Sequence, residues 1–213
     1  MKRILFAALI ASAWANTAIA EDYDWSGIYG GLSVGARWSN MKYDGPFTVD
    51  YWSSKSSGFT GGGFVGYNFT SGPWVFGPEV SASFSDATGE SRTREFYPEG
   101  RSRFDLRSRA TVSINGRLGY TAGRLLPYVT AGYARAWYET GNISSSAFGN
   151  HDSTYSFERN GWNIGVGTDW AIFDHVFARA EYRFIDLGKD DIGNGWSAKY
   201  KQHATTLGIG YKF

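Results

Sequence analysis

Histidine, the side chain that titrates near neutrality, occurs three times in this 213-residue chain. His151 is followed directly by Asp152 and Ser153, while His175 and His203 have no acidic neighbour within two residues except Asp174. A serine hydrolase needs a hydroxyl beside a histidine that a carboxylate orients, so His151 and His203 are the candidates for such chemistry. Cysteine is absent, which removes thiol nucleophiles, thiolate metal sites and disulfides. Asp190 and Asp191 supply too few oxygens for calcium, which takes six or more. Paired catalytic carboxylates, a phosphate-binding loop and zinc spacing are also missing. The denser chemical signal is a set of charges placed in mid-segment among glycine and serine: Glu79, Arg109, Arg117, Arg135, Asp169, Arg179, Glu181 and Arg183. Charges arranged in this way either line an ion path or neutralise one another in a closed interior. The elements that carry them decide between the two.

Lys2 and Arg3 precede an apolar run from Ile4 to Trp14, and Ala18-Ile19-Ala20 has the small-x-small pattern of a signal-peptidase site. Residues 1–20 are therefore expected to be a cleaved signal peptide, with Ala18 and Ala20 as the cleavage signal, and residues 21–213 to form one domain. The apolar run is too short for a spanning helix. Removing Lys2 and Arg3 from the 21 basic residues leaves 19 against 20 acidic ones, which argues against a nucleic-acid partner. The 28 glycines, 18% aromatics and negative mean hydropathy suit many strands with one apolar face better than a helical core.

Alternation with a period of two marks eight segments. The first sets Ile28, Leu32, Val34 and Trp38 against Tyr29, Gly31, Ser33 and Arg37. Later segments set Val65, Tyr67 and Phe69 against Gly66 and Asn68, then Phe76 and Val80 against Gly77 and Glu79. Ile114 and Leu118 oppose Asn115 and Arg117, Ile164 and Trp170 oppose Asn163 and Asp169, and Tyr182 and Phe184 oppose Glu181 and Arg183. The fifth segment, from Leu126 to Glu139, has aromatics on both faces, and its inward face is assigned from Arg135. The last segment runs from His203 to Phe213, with Leu207, Ile209, Tyr211 and Phe213 on one face. Connections alternate between short turns (near 70–73, 121–125 and 173–175) and long loops (near 41–56, 87–100, 140–157 and 189–198), which is the pattern of an up-and-down meander.

A soluble barrel would turn its apolar face inward. Here the polar faces are rich in glycine and serine, which suit a narrow interior, and carry charge at mid-strand, while Trp38, Phe69, Trp74, Tyr120, Tyr138, Trp162, Trp170, Tyr211 and Phe213 cluster toward the ends of the apolar faces, as in two interfacial girdles. The expectation is an all-β, eight-stranded, antiparallel, up-and-down transmembrane β-barrel with its apolar face toward lipid. Bilayer-spanning strands must close on themselves, so the C-terminal strand is expected to pair with the first.

The stretches Trp25-Ser26-Gly27-Ile28-Tyr29-Gly30-Gly31, Gly66-Tyr67-Asn68-Phe69, Leu126 to Tyr133, Gly161 to Gly167 and Glu181 to Gly188, with the C-terminal strand, resemble the small porin-family outer-membrane proteins of alphaproteobacteria, the outer membrane immunogenic protein group. The architecture is similar to the OmpA transmembrane domain. This resemblance implies a bacterial outer-membrane location with long loops extracellular and both termini periplasmic. It also implies a barrel-assembly signal on Ile209, Tyr211 and Phe213 read by the barrel-assembly machinery; no cofactor is expected. Outer-membrane lipid and lipopolysaccharide are the expected surroundings, and Lys199 and Lys201 face outward where lipopolysaccharide phosphates lie.

An eight-stranded lumen is filled by side chains, which favours a structural, surface-presenting barrel plugged by salt bridges. Asp169 is expected across a hairpin from Arg179, with Glu79 and Arg117 at similar depth. Three alternatives stand beside it. One is a narrow porin-like channel. Another is ligand or host binding through long loops that carry Tyr43, Phe47, Tyr51, Trp52, Arg92, Arg94, Arg101 and Arg103, with haem as a ligand that the resemblance implies and His151 as the loop residue that would meet its iron. The third is a lipid A-modifying enzyme built on His203.

Overall fold

The structure is a computed structural model that describes residues 23–44, 52–86, 88–90, 101–146, 149–193 and 196–213. Residues 1–20, with the cleavage signal Ala18 and Ala20, and loop residues Phe47, Tyr51, Arg92 and Arg94 lie outside the described set. So do the side chains of Tyr43, Trp52, Arg101, Arg103, His151, Asp190 and Asp191.

Nine strands are described: β1 (Gly27–Asp44), β2 (Trp52–Ser71), β3 (Trp74–Ser85), β4 (Thr88–Glu90), β5 (Arg101–Tyr120), β6 (Leu125–Ser146), β7 (Gly149–Ala171), β8 (Val176–Gly193) and β9 (Trp196–Lys212). All pairings are antiparallel, β1 pairs with both β2 and β9, and β3 pairs with β2 and β5. Short β4 pairs with β2 and β5 on either side and so continues the line of β3. The result is a closed eight-stranded antiparallel barrel in which β3 and β4 share one position.

Closure explains the apolar C-terminus. Leu207 faces Val34, Ile209 faces Leu32 and Tyr211 faces Gly30 across the β1–β9 seam, and the Phe213 amide donates to the Ile28 carbonyl at 3.0 Å. The turns at one end are tight because glycine takes the left-handed position: Gly72 has φ 57° and Gly123 has φ 61°. The third short turn, at 172–175, is held by Ile172 and Phe173 amides donating to the Val176 carbonyl. Both described chain ends lie at this end. Tyr23 donates to the Asp174 carbonyl, and Lys212 Nζ reaches the Asp24 carbonyl at 2.5 Å. The Ser26 hydroxyl and amide, with Lys212 nearby, hold the Asp24 carboxyl below the usual carboxylate range.

At the far end, pairing runs further than the sequence suggests. The stretch read as a loop near 140–157 is a continuous ladder, with Ser146 opposite Gly149. Likewise β1 extends to Asp44, β8 to Gly193 and β9 back to Trp196. Polar composition hid these extensions, because strands that stand clear of the membrane need no apolar face.

The outer face is a belt of exposed apolar side chains, with Phe59 84% and Leu32 74% exposed beside Val34, Phe84, Ile114, Leu207 and Ile209. Such a belt far exceeds the apolar patches of soluble monomers and is stable only against hydrocarbon. Aromatic pairs edge it, among them Trp74 with Tyr120 and Tyr211 with Phe213.

Candidate functional site

Alternation along each strand sends the polar set inward, where it stacks in three levels. Nearest the short turns lies an apolar floor of Trp25, Tyr29, Phe64, Val75, Leu126, Ala171 and Phe177. At the opposite end Ala134, Ala136, Tyr138, Ile185, Leu187 and Tyr200 form a second cluster, with Phe157 against it. Between them sits an ionic network that ties together six strands.

Asp169 on β7 is its hub. Its Oδ1 accepts Arg179 Nε at 2.8 Å, and its Oδ2 accepts Arg117 Nη2 at 2.5 Å and Arg179 Nη2 at 3.0 Å. Asp169 lies directly opposite Arg179 in the β7–β8 register. Glu79 Oε2 accepts Arg179 Nη1 at 2.7 Å and the Tyr29 hydroxyl at 3.0 Å, and Arg117 approaches it at 3.9 Å. Arg183 pairs with Glu181 at 2.7 Å and donates to the Ser81 hydroxyl, while Tyr128 donates to Glu181 at 2.8 Å. Glu79 and Asp169 side chains are each 1% exposed, so both carboxylates depend on these donors for the solvation they have lost.

Aromatic faces complete the layer. The Arg117 guanidinium lies 3.7 Å from the Tyr128 ring centroid and Arg179 lies 3.8 Å from that of Phe64. Each of four inward rings stands directly across from a glycine: Tyr29 from Gly66, Phe64 from Gly31, Tyr128 from Gly167 and Phe177 from Gly210. The missing side chains make the room that the rings occupy. Glycine in these strands is thus a packing partner, as well as a way to fit a narrow interior.

Six of the eight charges singled out in the sequence, Glu79, Arg117, Asp169, Arg179, Glu181 and Arg183, meet in this layer. Two do not. Arg135 points outward to an ion pair with Glu158, its side chain 43% exposed; the inward residues of β6 are the even ones, Leu126, Tyr128, Thr130, Ala134, Ala136 and Tyr138. The assignment from one charge reversed that strand, and it also placed Tyr138 in the outer girdle when its hydroxyl is inside, bonded to Gln202. Arg109 sits at an irregularity where the β5–β6 register shifts between Ser108 and Ala110. The extra residue breaks the alternation and turns Arg109 to Glu139 at 2.7 Å, with its side chain 65% exposed.

Arg37, on the polar face of β1, lies outside this network; it donates to the Thr111 hydroxyl at 3.0 Å and to the Ser83 hydroxyl at 2.6 Å. Arg37, Ser81, Ser83, Thr111, Ser113 and Arg183 help line a cavity of about 60 Å³ above the ionic layer, room for a few waters.

His203 lies on the outer face. Its ring stacks with Trp38 at 6.0 Å and 7° between planes, and its Nδ1 is 2.7 Å from the Tyr182 hydroxyl. That nitrogen is engaged by a phenol rather than a carboxylate, so a Ser–His–acid relay is not assembled among the described residues. His175 stands in the third short turn, with its Nδ1 against the Lys212 carbonyl.

A barrel with hydrocarbon-facing aliphatics outside and a compensated ionic interior is a membrane barrel. The family described as "Outer membrane protein beta-barrel domain" matches residues 4–213. The chain belongs to this outer-membrane β-barrel family. Relatives include the 25 kDa outer-membrane immunogenic protein of Brucella abortus, 29% identical over 202 residues that cover 93% of this chain and 84% of that protein. The 22 kDa outer membrane protein of Rhizobium leguminosarum bv. viciae is 31% identical over 194 residues, 89% of this chain and 78% of that protein. Among solved structures, OprG of Pseudomonas aeruginosa superposes with a TM-score of 0.52 at 12% identity, covering 91% of this chain and 98% of that one. The Escherichia coli outer membrane protease OmpT gives 0.54 at 10% identity, covering 90% and 98%. At these identities the two structures share the fold alone. Family membership and the named relatives place this barrel in the bacterial outer membrane.

Proposed function

We propose that this protein is a non-conducting structural barrel of the outer membrane that presents its long connections at the cell surface and has no catalytic role. Residues 1–20 are removed on export, both termini face the periplasm, and the connections opposite the short turns face outward. The observation that carries this reading is the filled lumen: aromatic floor, ionic layer and upper cluster in series, with the cavity of about 60 Å³ between the last two. An ion crossing this stack would have to displace Arg179 from two carboxylates and several rings at once.

Refolded protein, shown to be folded by heat-modifiable gel mobility, is expected to give no steady single-channel steps in planar bilayers. Steady conductance would overturn the plug and favour a narrow pore.

The assembly signal gives a second test. Phe213 is 75% exposed on the outer face and packs on Tyr211 at 5.1 Å, so it adds little to the folded interior. Phe213→Ser is expected to lower the amount of barrel in the outer membrane of cells severalfold while detergent refolding in vitro proceeds as in the parent. Equal cellular levels would remove the recognition role from Ile209, Tyr211 and Phe213.

A further inference from the structure

On the outer face of β1, β9 and β8, at the end away from the short turns, the register lines up rows of side chains. Trp38, His203 and Phe184 form one row. Two residues further along are Asn40, Lys201 and Asp186, with Lys55 of β2 opposite Asn40. Two further still, Lys42 is paired with Lys199, and Lys199 with Lys189. Three adjacent strands thus place lysine at one level.

Like charges directly opposite across strands destabilise a sheet. Lys189 and Lys199 are exposed, and no carboxylate pairs with either among the described residues. Asp186 takes Lys201 at 3.8 Å, and Asp44 and Asp191 occupy positions opposite Ser197 in the next row out. A cationic row on an open face is stable if the surroundings supply the anion.

The level identifies that anion. The row of Trp38, His203 and Phe184 is a stacked aromatic group, with Phe184 5.1 Å and Trp38 6.0 Å from the histidine ring and Lys201 Nζ 5.6 Å above Phe184. Aromatic girdles mark the edge of the hydrocarbon, and below this one Ala36, Thr205, Val34 and Leu207 run into the apolar belt. Four residues of tilted strand separate Trp38 from Lys42, roughly 10 Å along the membrane normal. Lys201 lies halfway. The headgroup layer is about 5–8 Å thick, and lysine stems bend to meet it.

We infer that the β1–β9–β8 face is a binding site for a phosphate-bearing glycolipid of the lipopolysaccharide type, with Lys189, Lys199 and Lys201 on its phosphates, the Trp38–His203–Phe184 row beneath its sugars and its acyl chains along Val34 and Leu207. Lysine binds phosphate as a point charge, and the apolar strip below requires that the phosphate be attached to a lipid. The inference rests on the outward orientation proposed above, but its test in detergent is independent of conductance and of orientation in cells.

The test is native mass spectrometry of the refolded barrel titrated with bisphosphorylated lipid A and with dephosphorylated lipid A. The parent is expected to retain the bisphosphorylated form at least tenfold better. Lys189→Ser/Lys199→Ser is expected to lose on the order of 30-fold in that affinity, while Lys212→Ser at the opposite rim leaves it unchanged. Should the double variant fold poorly, Lys199→Ser alone is expected to lose about fivefold. Equal affinity of parent and lysine variants overturns the site. So does displacement of lipid A by an equal concentration of inorganic phosphate, which would make it a free-anion site. Loss of thermal stability without loss of lipid A binding also overturns it, and would assign the lysines to pairing with Asp44 and Asp191.

Discussion

Asp169→Ala is expected to destabilise the refolded barrel by about 3–5 kcal/mol, read as a lower urea midpoint in detergent. The carboxylate is almost fully buried and takes three donor contacts from Arg117 and Arg179. Removing it leaves Arg117 with a 3.9 Å approach to Glu79 as its one remaining carboxylate contact, and Glu79 already takes Arg179 at 2.7 Å and Arg183 at 3.5 Å. The loss is therefore the cost of a stranded guanidinium, as well as that of the missing bonds. A double variant, Asp169→Leu with Arg117→Met, removes one charge of each sign and keeps the Arg179–Glu79 and Arg183–Glu181 pairs; it is expected to recover most of the loss, because a buried ion pair contributes little net stability over apolar packing. An unchanged midpoint for Asp169→Ala would show that the network does not bear on stability.

Gly167→Val carries the other large effect. A β-carbon at Gly167 would lie 2.5 Å from Oη of Tyr128, 2.6 Å from its Cζ and 2.8 Å from the Ala180 carbonyl oxygen. The ring must leave, taking with it the bond to Glu181 and the face on which Arg117 rests. Overpacking of this kind costs about 1–3 kcal/mol, and the same urea titration reads it. Gly116 is the control: it lies on the outer face of β5 with nothing within 4 Å of a built β-carbon, so Gly116→Val is expected to be neutral or mildly stabilising through strand preference. If the two valine variants unfold alike, the glycine–aromatic pairs are incidental to the plug.

The contrast between these glycines shows where sequence reasoning stops. Alternation by itself puts Gly116 on the lipid face with Ile114 and Leu118 and Gly167 on the inner face with Asn163 and Asp169, but only the register places a tyrosine opposite Gly167. The β6 strand makes the same point. Its one mid-strand charge, Arg135, suggested an inward odd face, yet the even positions Thr130, Gly132, Ala134 and Ala136 are small at every second residue. A narrow lumen demands small side chains more strictly than charged ones, so that run was the better signal. Arg135 tolerates the outer face because Glu158 stands beside it there. Arg109 was beyond reach of any alternation argument, since a bulge inserts a residue without a compositional mark.

What the sequence determined by itself was the strand number, the direction of the apolar face, the position of the tight turns and the Asp169–Arg179 pair. These follow from a period of two, from glycine at turns and from counting back along one hairpin, all of which are local. Tertiary structure alone decided which inward charges meet across the barrel, that aromatic rings lie over glycines on neighbouring strands, that β6 and β7 pair as far as Ser146 and Gly149, and that lysines from three strands share one level. Those contacts join residues 100 or more positions apart, Arg179 and Glu79 among them, and the relative stagger of closed strands, on which they depend, is set by closure of the whole sheet.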